Sequence, residues 1–90
     1  QAIVDACQEA HVQGTITASQ LQAIKLATRS PRMLQRMEDL IVERAQSSGA
    51  YAFTLDSHGD VVMSAINWEA IGDFIIKIAP IIFKLIELFL

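Results

Sequence analysis

Ninety residues suffice for one domain with a modest core, and a formal net charge of −3 supplies no global field that draws the chain to nucleic acid. Apolar residues make up 52% of the chain, a little above the usual range for soluble domains, and the excess is concentrated in the last 23 residues. The single cysteine, Cys7, excludes an internal disulfide, and no amino-terminal apolar run has the form of a signal peptide. The first residue is Gln1 rather than Met, which reads as a processed product or an ordered fragment of a longer chain.

In chain order, residues 1–13 predict a helix with Ile3, Cys7 and Ala10 on one face, widened by Val4 and Ala6, and with Asp5 and Glu9 opposite. Gly14 is placed to end it. Thr17-Ala-Ser-Gln20 has the form of a capping box. It opens a second helix to about Thr28, which packs Leu21, Ile24 and Ala27 or Thr28. Ser30-Pro31 marks the next start, with serine at the N-cap and proline at the first helical position, where its missing N–H costs nothing. This third helix runs to about Gln46 with Met33, Met37, Leu40, Ile41 and Ala45 on one face, and Ser47-Ser48-Gly49 closes it.

Residues 51–66 change period from 3.6 to 2. Tyr51, Phe53 and Leu55 alternate with Ala52, Thr54 and Asp56, and Val61 to Ile66 forms a second run. With His58-Gly59 at the turn, a β-hairpin is expected that pairs Leu55 with Val62, Phe53 with Ser64 and Tyr51 with Ile66. Asn67 suits the N-cap of the terminal segment. The fold class expected is therefore α+β, mainly α, in one domain. A helical region spans 1–50, a hairpin 51–66 and a long amphipathic docking helix 67–90.

No stretch carries recognisable catalytic chemistry. Cys7 and His11, four apart on a helix, are too few for a zinc site, so a buried thiol is expected. Asp56, Ser57, His58 and Asp60 have the residue types of a hydrolase triad, but neighbours in one turn cannot converge as a triad requires. The glycines, Gly14, Gly49, Gly59 and Gly72, lie too far apart for a phosphate loop. No enzyme activity, cofactor or metal is expected. The one charge cluster, Lys25, Arg29, Arg32 and Arg36, is a candidate anion site. Its alternative is a solvated face opposite the acids Glu38, Asp39 and Glu43, of the same chain or of a neighbour. The cluster lacks aromatic residues for stacking, so nucleic acid is the weakest of the partners considered.

The terminal segment, Trp68 to Leu90, contains thirteen Ile, Leu and Phe residues. Its polar positions, Glu69, Asp73, Lys77, Lys84 and Glu87 with Pro80 in the gap, recur at the helical repeat and form one narrow stripe. As a lone membrane span it fails on energy. Thirteen apolar side chains contribute near −6.5 kcal/mol, whereas Asp73, Lys77 and Lys84 together cost roughly 7.5 to 10.5 kcal/mol. Two readings follow. In the first, the helix docks against other protein chains, copies of itself or a larger assembly such as a virus particle, through Trp68, Ile71, Phe74, Ile75, Ile78, Ile81, Ile82, Leu85, Ile86 and Phe89. The alternative lays the same face in a membrane interface, and a ring of such helices with the polar stripe inward would form a pore. The tail resembles small membrane and virion-associated proteins in composition only, and the likeness identifies no family.

Overall fold

The computed structural model describes residues 1–89, and the described chain is a bundle of four α-helices. Helix α1 spans Ala2–Val12, α2 Ala18–Ala27, α3 Pro31–Ser48 and α4 Gly72–Glu87, with a short 3₁₀ turn at Met63–Ala65. The first three begin and end where their local chemistry dictates. Thr17 and Gln20 form both bonds of the capping box: the Gln20 N–H donates to Thr17 Oγ1 at 3.2 Å and the Thr17 N–H to Gln20 Oε1 at 2.8 Å. Ser30 Oγ accepts from the Met33 N–H at 3.4 Å, and Pro31 opens α3. Gly49 ends α3 at φ +68°, a left-handed conformation that a Cβ would strain.

Helix α4 packs against all three others. Its Ile75, Ile78, Ala79, Ile82 and Ile86 are buried together with Ile3, Cys7 and Ala10 of α1, Leu21 and Ile24 of α2, and Met37 and Ile41 of α3. Small residues on α1, Ala6, Cys7 and Ala10, leave room for the isoleucines of α4. The polar stripe read from the sequence is the outer side of this helix: Asp73, Lys77, Lys84 and Glu87 are all exposed. Pro80 lies among them and is half-buried, so the carbonyl it leaves without a donor is near solvent. The bundle core contains no buried polar or charged residue among the described residues.

Two expectations are corrected. The β-hairpin is absent, and with it the α+β class: among the described residues the only β pairing is an isolated antiparallel bridge, Leu55 to Val61. This pairing is one residue out of the expected register. The turn is built on Asp56, whose Oδ1 accepts from the His58 N–H at 2.8 Å and the Asp60 N–H at 3.0 Å, so it is longer than a two-residue turn. A two-stranded hairpin is marginal without a further partner. Here the Tyr51 ring packs on a helix instead, meeting Phe74 of α4 edge-on at 5.6 Å. Leu55 is largely exposed, so the alternation of apolar and polar residues marks an extended segment anchored to the bundle by Tyr51 and Ile66. The second correction concerns the start of the terminal helix. Asn67 Oδ1 accepts from the Ala70 N–H at 3.3 Å and caps only a turn over residues 68–71, and α4 begins at Gly72. Leu90, the last residue of the expected helix, lies outside the described residues.

Candidate functional site

Burial divides the ten residues expected to form a docking face. Ile71, Ile75, Ile78, Ile82 and Ile86 belong to the chain's own core. Trp68, Phe74, Ile81 and Leu85 are half-buried at its margin. Phe89 alone of the ten is exposed, at 51%. The cover for most of the helix's apolar face is supplied by α1, α2 and α3, so a partner can reach only the margin and the carboxyl end of that face.

At that end the structure joins two features that the sequence left separate. Phe89 lines a small apolar groove of about 190 Å³ with Ala23, Leu26 and Ala27 of α2, Met33 of α3 and Ile86 of α4. Leu26 is 62% exposed and Leu88, beside Phe89, is 79% exposed. The four cations are interleaved with the groove residues. Lys25 precedes Leu26 in the last turn of α2, Arg29 lies in the elbow after Ala27, and Arg32 precedes Met33 in α3. The Arg36 guanidinium stands 4.5 Å from the centre of the Phe89 ring, within cation–π range. Because Ser30 and Pro31 break the chain into two helices, the cluster wraps the elbow rather than lining one continuous face.

The charge of this cluster is left unbalanced. Among the described residues the one ion pair joins the amino terminus to Asp5 at 3.7 Å, and none of the four cations takes part in one. None of the three acids expected to neutralise them forms an ion pair among the described residues: Asp39 accepts from Gln35 Nε2 at 2.9 Å, and burial, then the neighbouring Asp39, raises the Glu38 pKa, opposite to the effect of a nearby cation. Arg32 also sits in the first turn of α3, which carries no acid, although the positive end of the helix dipole favours one there. This end of the molecule is therefore apolar, exposed and cationic at once.

The other candidates are structural. Cys7 is fully buried, and desolvation pushes its thiol up to about 11, so it is neutral at physiological pH. His11 is engaged elsewhere, with Nδ1 3.2 Å from the Ile16 carbonyl oxygen. No group of three His, Cys, Asp or Glu side chains converges among the described residues. Asp56 uses its carboxylate to hold its own turn. A cleft of about 690 Å³ is open to solvent between Gln13, Ser48, Tyr51 and Lys77. No described helix is long and apolar enough to cross a membrane.

Sequence reasoning missed Leu26 and Leu88. Leu26 lies off the Leu21–Ile24–Ala27 stripe of α2, and a large apolar residue outside a packing stripe was a readable signal. The contact between Arg36 and Phe89 joins residues distant in the chain and left no local signal. No protein-family model, curated protein or solved structure matches this chain.

Proposed function

We propose that this chain is a non-enzymatic assembly subunit that associates with other protein chains through the carboxyl end of α4 and the α2–α3 elbow. One observation carries the reading: exposed Leu26, Leu88 and Phe89 share one end of the bundle with four cations that have no ion-pair partner among the described residues. Isolated exposed apolar residues are ordinary, but an apolar cluster interleaved with unpaired guanidinium groups matches the make-up of association surfaces, in which aromatic residues and arginine are enriched. The groove, about 190 Å³, is below the size range of small-molecule sites and suits one inserted side chain.

The test is sedimentation of the full chain over a range of concentration at low salt. Association is expected that weakens with salt and is lost in Leu26→Asp and Phe89→Asp. A chain that stays monomeric throughout contradicts the reading. The same exposed end also suits an anionic membrane surface, where Leu88 and Phe89 enter the interface and the cations meet headgroups. Flotation of the monomer with anionic vesicles, abolished by Phe89→Asp, would transfer the role to that reading.

A further inference from the structure

The two ends of α4 carry opposite chemistry. Its carboxyl end presents Leu88 and Phe89 amid the cations of the elbow, with Arg36 against the Phe89 ring. Beside its amino end is a second cleft, of about 280 Å³, bordered by the carboxylate residues Asp5, Glu69 and Asp73. Its apolar lining includes half-buried Trp68 and the small residues Ala2 and Ala6. Gly72, also in the lining, has open space where a side chain would begin. One end thus offers an aromatic and an aliphatic side chain where, among the described residues, four cations outnumber the one exposed carboxylate beside them, Glu87. The other offers an apolar seat ringed by negative charge.

We infer that the carboxyl end of α4 in one copy seats in the amino-end cleft of α4 in the next. This rests on the assembly reading and names its partner as a second copy of the chain. Charge decides the occupant. Of the cleft's three carboxylates Asp5 alone has a charged partner, the amino terminus at 3.7 Å; Glu69 and Asp73, like the four cations, form no ion pair among the described residues, so each end keeps unpaired charge opposite in sign to the other's. An anionic lipid surface would satisfy the cations but leave the carboxylates at the far end of α4 without a partner, whereas a second copy satisfies both ends. The ends stand about 24 Å apart along the sixteen residues of α4, more than a Debye length at physiological salt, so they attract only between copies. The two surfaces differ, so the contact is heterologous: each joined copy keeps one free end and one free cleft, and growth continues head to tail.

Charge-swap variants test this by sedimentation velocity at an ionic strength of about 0.02 M, where exposed pairs are least screened. The end variant carries Arg29→Glu, Arg32→Glu and Arg36→Glu, and the cleft variant Asp5→Lys, Glu69→Lys and Asp73→Lys. The wild type is expected to grow in mass with concentration. Each variant alone should need about tenfold more protein, or greater still, to associate. An equimolar mixture should regain growth, because each reversed surface then meets its complement. Thermal melting of each variant checks its fold. If the lysines lower the melt, the neutral set Asp5→Asn, Glu69→Gln and Asp73→Asn replaces them and should also weaken growth. A cleft variant that assembles like the wild type, beside an end variant that does not, overturns this docking while leaving the assembly reading intact. So does a mixture that stays monomeric. A monomeric wild type overturns both.

Discussion

If α4 is the core of its own domain, shortening one of its inward side chains must damage the isolated monomer. Ile82 is 0% exposed and packed among residues of the other helices, whereas its neighbour Ile81 is half-buried at the margin. Ile82→Ala removes three carbon atoms, worth about 2.4 kcal/mol at roughly 0.8 kcal/mol for each buried methylene. A residual cavity of about 60 Å³ would add about 1.5 kcal/mol at about 24 cal/mol for each Å³. The total, about 4 kcal/mol, lies within the usual range for such a substitution. At about 0.05–0.15 kcal/mol per residue the whole domain is stable by roughly 4.5 to 13.5 kcal/mol, so the change takes more than a quarter of it. Urea denaturation of dilute protein, followed by circular dichroism, measures the loss directly. Ile81→Ala should cost less than half as much under the same conditions. Equal and small losses at both positions, below about 1 kcal/mol, would refute the burial of α4 by its own chain.

Two further predictions follow from titrating groups. Burial raises the Cys7 thiol from 9.0 to about 11, so at pH 8 the folded chain should react with thiol reagents at least about 100-fold more slowly than the unfolded chain. The native state keeps its proton while the unfolded thiol ionises; the associated stability is present below pH 9 and is lost as pH rises through about 11, a decline that Cys7→Ala should remove. Glu38 is also raised, by burial and then by Asp39, so its contribution is most favourable below the unfolded value of 4.5 and is lost as pH rises through the folded value. Glu38→Gln should therefore raise the melting temperature near pH 7 by no more than about 3 °C, with the gain vanishing below pH 4. A gain that persists in acid would show that the charge of Glu38 is not its source.

The helical part of the fold was legible wherever the signal was local. Thr17 with Gln20, Ser30 with Pro31, and Gly49 are chemical punctuation, and each stands at the boundary that its chemistry requires. The 3.6-residue recurrence of Asp73, Lys77, Lys84 and Glu87 likewise gave the outer face of α4. What could not be read was the relation between segments. Alternation in Tyr51, Phe53 and Leu55 says that alternate side chains share a side, and both a strand and an extended segment over a bundle satisfy that. Ladder partners decide between them, and here Tyr51 finds the Phe74 ring instead. The apolar face of α4 posed the same difficulty on a larger scale. Its sequence demands a cover without naming one, and α1, α2 and α3 supply it. The basic cluster was visible from spacing alone, but its meeting with Phe89 depends on how α3 and α4 pack.

Hydrogen exchange of the full chain, read by segment first in dilute and then in concentrated low-salt solution, distinguishes a self-covered α4 that associates by its two ends from a helix that awaits a partner. Amides from Ile75 to Ile86 should already be among the slowest in the dilute monomer, because α4 is enclosed by its own domain. Concentration should then add protection only around residues 25–36 and 88–89 and beside the cleft at Asp5 and residues 68–73. The account is contradicted if α4 exchanges freely in the monomer and gains its protection along its whole length on assembly.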